Sequence, residues 1–179
     1  MKSTRVRFIT KVAVLSAAAF ILQLAGSLAG IKVGGFLDVE LSDFPAVIGA
    51  FAMGPGAGVL IELIKNFLHL TVSSTGFVGE LANFIINGLF VLVAGIIYRR
   101  NKTKRGAVVA LVFGTLAMAV GAVLANMYIL LPLYMPAAGF GEKLKIVLSV
   151  ITPFNLVRGA VLSVLAVCVY KPLSPILHK

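Results

Sequence analysis

The chain has 179 residues, of which 60% are hydrophobic and only 12% are charged. A water-soluble domain of ordinary composition does not reach these values, so the sequence indicates a protein that folds in a lipid bilayer. The net charge of +10 would suit a nucleic-acid-binding protein, but the basic residues form short clusters between apolar runs, as in the cytoplasmic loops of membrane proteins. Composition therefore excludes an ordinary soluble domain and argues against nucleic acid as a partner.

The first predicted helix covers approximately residues 8–31, and from Val12 to Ile31 it is apolar except for Gln23 and small serines. At about 1.5 Å per residue, this run is long enough to cross the roughly 30 Å hydrocarbon core of a bilayer. Ala13 and Ala17 are four residues apart, a spacing that lets another helix approach closely. Internal packing and docking of another membrane subunit both remain open for this pair.

A loop and a helical hairpin are predicted next. The segment from Lys32 to Asp43 contains glycines and acidic residues, which indicates an ordered loop that could act as a lid. Two short apolar runs follow, at about 44–54 and 56–70, with the Gly54-Pro55 pair at their boundary. Because proline beside glycine is a strong helix terminator, we expect the two runs to form a tight hairpin.

The hairpin predicts an ion pair between its arms. Its turn lies near Gly54, so Asp43 at the head of one arm should have the same depth as Lys65 on the other. A buried charge in a membrane requires a partner, and a structural ion pair is therefore expected between these two residues. Glu62, one turn deeper, is an alternative partner for the lysine.

Three further helices, at approximately 78–98, 107–131 and 146–170, complete an all-α bundle of six transmembrane helices in one domain over residues 1–179. The basic residues before the first helix, in 99–105 and after Tyr170 all fall on one side of this topology. The positive-inside rule therefore predicts that both termini are cytoplasmic.

Polar side chains within the predicted spans fall at a common depth near the outer surface. Asn126, for example, lies roughly 28 Å along its helix from the cytoplasmic end. The set at this level, drawn from three helices, is Glu80, Asn83, Asn126, Asn155 and Arg158. Hydrogen bonding between helices would explain any single asparagine, but five such residues together favour a binding site for a small molecule.

No catalytic residues, metal ligands or resident cofactor are predicted. The sequence lacks a phosphate-binding loop, so ATP hydrolysis by this chain is not expected. His69 and His178 are far apart and have no cysteine or acidic residue at ligand spacing. No nucleophile and base stand at a recognisable spacing. These observations predict binding rather than an enzymatic reaction.

Four groups of motifs, spread over nearly the whole chain, resemble one family. They are DFPAVIG at 43–49 with GP at 54–55 and IKN at 64–66, GELANF at 79–84, Asn126 with PLY at 132–134, and PFNLVR at 153–158. The sequence with these motifs resembles the substrate-binding membrane subunits of energy-coupling factor vitamin transporters, most closely the riboflavin-specific ones. The resemblance implies six helices, a long outer loop after the first, and a multi-pass protein in the plasma membrane of a prokaryote.

The resemblance also implies a ligand and partners. Riboflavin would be bound from outside beneath the loop from Lys32 to Asp43, and a transmembrane coupling subunit with two ATPases would complete the importer. Ala13 and Ala17 match the alanine stripe that contacts the coupling subunit in this family. Asn126 and Asn155 match positions expected to hydrogen-bond the flavin, and Arg158 stands where some relatives are expected to have lysine.

The asparagines suit this ligand chemically, because an amide both donates and accepts and can match the pyrimidine edge of a flavin. Riboflavin would be a transported ligand and not a cofactor. The predicted substrate-binding residues are Leu37, Val39, Glu40, Leu41, Glu80, Asn83, Asn126, Asn155 and Arg158.

Two other functions remain open at this point. Family members for thiamine, biotin or folate would have the same composition, so only the local motifs favour riboflavin. A stand-alone proton-coupled carrier could use Glu62, Lys65 or Glu80 as a relay. Such a carrier would transport in liposomes without an ATPase.

Overall fold

The computed structural model of the protein describes residues 2–29, 32–33, 37–38, 41–73 and 76–177, with side chains described over 5–29, 41–73 and 77–169. Its elements are α1 (Lys2–Ala29), β1 (Lys32–Val33), β2 (Leu37–Asp38), α2 (Phe44–Met53), α3 (Pro55–His69), α4 (Gly76–Arg100), α5 (Lys104–Ala125), α6 (Leu131–Tyr134), α7 (Phe140–Ile146) and α8 (Thr152–Leu177). The two strands pair antiparallel in the connection between α1 and α2.

Two π-helical segments make longer rods from the last four helices. Asn126–Leu130 joins α5 to α6, and Val147–Ile151 joins α7 to α8. The described elements therefore form six helical rods, and the prediction of an all-α bundle is confirmed. The fifth rod continues to Tyr134 and the sixth begins at Phe140, so both extend further at this end than the predicted limits of 131 and 146.

Within the described ranges, four rods are long and apolar enough to cross a membrane: Arg5–Ala29, Phe77–Arg100, Lys104–Tyr134 and Phe140–Val169. Their outward faces carry exposed apolar side chains at helical spacing. On α5, Val112, Leu116 and Val120 are 52%, 51% and 59% exposed. A face of this kind is stable only against lipid or another protein, which makes the bundle a membrane protein.

The α2–α3 hairpin packs against the long helices α1 and α4. Gly54 between its arms has φ +100°, a conformation that side-chain-bearing residues rarely adopt, and Pro55 opens α3 where no helical N–H is needed. The arms approach so closely that a Cβ on Gly58 would lie 2.7 Å from the Ala50 Cβ. With 10 residues, α2 rises only about 15 Å, half the hydrocarbon thickness.

The register of α3 against α4 determines where the polar residues lie. Pro55 packs against Gly95 near the end of the bundle that carries residues 99–105, called the basic end here. His69, at the other end of α3, contacts Glu80 near the start of α4. Since the helices run antiparallel, the polar residues of both gather at the end opposite the basic end.

Candidate ligand-binding site

A cavity of about 430 Å³ opens among α1, α3, α4 and the two rods that contain the π segments, at the end opposite the basic end. This volume lies within the range of about 300–1,000 Å³ that is usual for small-molecule sites. Its apolar lining includes Ile86, Leu130, Leu131, Tyr134, Met135, Ile146 and Phe154, and its polar lining is Gln23, Ser27, His69, Glu80, Asn83, Asn87, Asn126, Asn155 and Arg158.

One wall, from the α5–α6 and α7–α8 rods, contains two asparagines in the same local arrangement. The Asn126 Nδ2 donates to the Ala122 carbonyl at 2.8 Å, and the Asn155 Nδ2 donates to the Ile151 carbonyl at 2.8 Å. Each amide therefore uses one N–H on its own helix. Its Oδ1 and second N–H have no hydrogen-bond partner among the residues that the structure describes, which leaves them for a ligand.

The two π segments lie at these asparagines. Asn126 begins the first, and Ile151, whose carbonyl accepts from Asn155, ends the second. In each rod a proline follows the last π residue by two positions, Pro132 in one and Pro153 in the other. Proline lacks an N–H and crowds the carbonyl four residues earlier, and a π turn relieves both problems by widening the helix. The wider turns shape this wall.

The opposite wall, from α1, α3 and α4, is a network of polar side chains that bind one another. Glu80 accepts from the Gln23 Nε2 at 3.2 Å and contacts the His69 Nδ1 at 2.9 Å. The His69 Nε2 lies 3.4 Å from the Ser27 Oγ. Both carboxylate oxygens of Glu80 thus have partners, and three helices are joined across this wall. Deeper in α4, the Asn87 Nδ2 donates to the Asn83 Oδ1 at 2.8 Å.

A cluster of four buried ionisable side chains adjoins the cavity through Arg158. The Lys65 Nζ contacts the Asp43 Oδ1 at 2.6 Å and the Glu62 Oε2 at 2.8 Å, and the side chains of all three residues are 0% exposed. Lys65 also donates to the Ser42 Oγ at 3.1 Å. The second oxygen of Asp43 accepts from the Arg158 Nη2 at 2.7 Å. The cluster thus places a carboxyl group beside each of its two buried basic groups, as burial requires.

The structure brings five of the nine predicted substrate-binding residues to the cavity: Glu80, Asn83, Asn126, Asn155 and Arg158. Leu41 does not line it; this residue is 40% exposed, and its carbonyl accepts from the Phe44 N–H in the turn before α2. Leu37 lies in β2, where only the backbone is described, and Val39 and Glu40 lie outside the described residues.

The other predicted residues do not line the cavity. Asp43 and Lys65 belong to the charge cluster, where the lysine contacts both the expected carboxylate and Glu62. Ala13 and Ala17 are exposed on α1. Over the described ranges, no group of three or more His, Cys, Asp and Glu side chains is arranged to hold a metal.

Sequence reasoning missed the partners that surround Glu80. His69 has no acidic residue at metal-ligand spacing in the sequence, yet in the structure it contacts a carboxylate 11 positions away on the next helix. Gln23 was noted as a polar exception in the first helix, and its spacing from the end of that helix places it at the depth of Glu80. That depth was the available signal for Gln23. A single sequence does not show that α3 packs against α4, which is what brings His69 to Glu80.

Comparison with known proteins adds the family. The model of the ECF transporter substrate-specific component matches residues 7–170. The riboflavin transporter FmnP of Bacillus subtilis is 32% identical over 180 residues, 96% of this chain and 94% of its own length. The riboflavin transporter RibU of Staphylococcus aureus is 32% identical over 148 residues, covering 80% and 78%. A solved S component of a bacterial ECF transporter superposes with a TM-score of 0.82 at 30% identity, covering 98% of this chain and 99% of that one.

Proposed function

The chain belongs to the family of ECF transporter substrate-specific components, and on that premise we propose that it binds riboflavin in the cavity and delivers it for import. The observation that carries the proposal is the pair of asparagines, Asn126 and Asn155, whose amide groups are half used on their own helices. The relatives named riboflavin transporters support the choice of vitamin. In this function the chain is a transport component and not an enzyme.

The cavity matches the parts of a flavin. The pyrimidine edge alternates donors and acceptors, which suits the free oxygens and N–H groups of Asn126 and Asn155. Arg158 lines the same wall and supplies guanidinium N–H donors for a carbonyl or a hydroxyl. The apolar dimethylbenzene end suits a lining that contains Ile86 and Phe154. Asn83 and Glu80 face the remaining polar part of the ligand, the ribityl chain.

Charge and exposure support the proposed orientation and partners. The basic end would be cytoplasmic, with both chain termini, and the cavity would open outward at the plasma membrane of a prokaryote. A transmembrane coupling subunit with two ATPases would supply the energy. The exposed alanines of α1, Ala13 and Ala17, would let a helix of that subunit approach closely. The connection between α1 and α2 would cover the bound vitamin.

A titration of the purified protein with a panel of vitamins tests this proposal. Riboflavin fluorescence should be quenched saturably at micromolar protein, whereas thiamine, biotin and folate should neither bind in calorimetry nor displace riboflavin. Tight binding of another vitamin would reassign the ligand within the family. Riboflavin transport in liposomes that contain this chain alone, driven by a pH gradient, would instead support a proton-coupled carrier.

A further inference from the structure

The Asp43 carboxylate is the link between the buried charge cluster and the cavity. One of its oxygens contacts the Lys65 Nζ at 2.6 Å, and the other accepts from the Arg158 Nη2 at 2.7 Å. The pair with Lys65 alone would suffice to hold the hairpin arms together. The second contact crosses 115 positions of sequence to reach a residue that lines the cavity.

We propose that Asp43 is a positioning residue for ligand binding, which holds the Arg158 guanidinium at the cavity wall in the orientation that a ligand meets. This inference rests on the proposed function. Asp43 itself is 0% exposed and does not line the cavity, so it acts only through the arginine. The Arg158 side chain is 10% exposed, between the carboxylate on one side and the cavity on the other.

Asp43 can do this because it is fixed from several directions. Its backbone carbonyl accepts from the Val47 N–H at 3.0 Å in the first turn of α2. Lys65, which holds one carboxylate oxygen, is itself held by Glu62 on its own helix and by the Ser42 hydroxyl beside Asp43. A rigid acceptor reduces the rotamer freedom of the long arginine side chain. A ligand that binds Arg158 then loses less conformational entropy in ordering it.

The four charges also show why Asp43 and Glu62 differ. Both side chains contact Lys65 and both are completely buried, so both belong to the structural core of the cluster. Asp43 alone of the two has a hydrogen bond to Arg158 among the described contacts. If the cluster only stabilises the fold, loss of either carboxylate should have similar consequences. If Asp43 positions the arginine, only its loss should weaken ligand binding strongly.

A double-mutant cycle on riboflavin affinity tests the inference. The variants are Asp43→Asn, Arg158→Gln, the two combined, and Glu62→Gln as the matched control. Fluorescence quenching gives the dissociation constant, and the melting temperature without ligand reports the stability of each variant. We expect Arg158→Gln and Asp43→Asn each to weaken riboflavin binding by about tenfold or more. In the Arg158→Gln background, Asp43→Asn should weaken binding further by less than about twofold, since contacting residues act non-additively. Glu62→Gln should change affinity by less than about threefold, even if it lowers the melting temperature as much as Asp43→Asn does.

Several results would overturn the inference. They are equal losses of affinity for Asp43→Asn and Glu62→Gln, additive losses in the double variant, or no loss in Arg158→Gln. If Asp43→Asn does not fold, Arg158→Gln is compared with the double variant, in which two opposite charges are removed together. Equal affinities there support the inference, and a further loss of about fivefold contradicts it. Failure of the unsubstituted protein to bind riboflavin would remove the proposed function and this inference together.

Discussion

The two walls of the cavity contain similar polar side chains but use them differently. On the α1–α3–α4 wall, Glu80 has partners for both oxygens, from Gln23 and His69. On the wall formed by the α5–α6 and α7–α8 rods, called the π-containing wall here, Asn126 and Asn155 bind, among the described residues, only the carbonyls four residues before them. The first arrangement joins helices, and the second satisfies one amide N–H while leaving the rest of the group to the cavity.

This difference separates side chains that bind one another and stabilise the cavity wall from side chains whose remaining hydrogen-bonding groups face the cavity. A polar group inside a membrane protein needs partners, because an unsatisfied buried donor or acceptor is costly. Glu80 finds its partners within the protein, so a ligand gains little from it. If the chain binds riboflavin as proposed, the asparagines would complete their hydrogen bonds on the ligand, so affinity should depend on them most.

The largest effect is expected at the π-containing wall. Asn155→Ala should weaken riboflavin binding by about 1–3 kcal/mol, roughly 5- to 150-fold, because it leaves a polar group of the bound ligand unpaired. The change in dissociation constant can be measured by quenching of riboflavin fluorescence.

Asn66 supplies a matched control for this substitution. It is 3% exposed, and its Nδ2 donates to the Glu62 carbonyl at 2.8 Å, the same local arrangement, but it does not line the cavity. Asn66→Ala should therefore leave riboflavin affinity within about twofold. Equal losses for both alanine variants would mean that the arrangement serves folding and not the ligand.

A smaller effect on affinity is expected at the opposite wall. Glu80→Gln keeps the shape of the side chain but removes its charge and one of its two acceptor oxygens. We expect the protein without ligand to be destabilised by about 1–2 kcal/mol, seen as a lower melting temperature, while riboflavin affinity falls by less than about threefold. A loss of affinity as large as that of Asn155→Ala, without a change in melting temperature, would place Glu80 among the direct ligand contacts.

Ser27→Ala should have a still smaller effect. The Ser27 hydroxyl lies 3.4 Å from the His69 Nε2, at the long limit for a hydrogen bond, and the side chain is partly exposed. The free energy of riboflavin binding and the free energy of unfolding should each change by less than about 0.5 kcal/mol. A large loss of affinity would show that the outer edge of this wall, and not only its opposite, binds the vitamin.

No effect on affinity is expected from a residue that belongs to neither wall. Ala17→Leu adds a bulky side chain to the exposed face of α1, far from the cavity lining. Riboflavin binding by the purified protein should be unchanged, whereas uptake by cells should be lost, because the coupling helix could no longer approach closely. Normal uptake with correct expression would remove Ala17 from the docking surface.

The sequence was sufficient for most of the architecture. Long apolar runs predict the membrane helices because helix length is tied to bilayer thickness. Gly54-Pro55 predicts the hairpin because glycine beside proline ends one helix and begins the next. That turn also placed Asp43 beside Lys65 at the correct depth. Each of these inferences depends on spacing along the chain, which one sequence contains.

The site was only partly accessible from sequence for a physical reason. Depth along each helix gave the level of Asn126, Asn155 and Glu80, but not the rotation of each helix or which neighbours it would have. The contact between Arg158 and Asp43, 115 positions apart, depends on that packing. The π segments had a local signal in the prolines at 132 and 153, since each proline disturbs the turn before it.

The most direct test of the central claim compares riboflavin titrations of the unsubstituted protein and of the Asn126→Ala/Asn155→Ala double variant, with folding checked by melting temperature. If the π-containing wall binds the pyrimidine edge of the flavin, the folded double variant should bind at least about thirtyfold more weakly. Equal dissociation constants for the two proteins would contradict the account, because riboflavin would then bind without either asparagine.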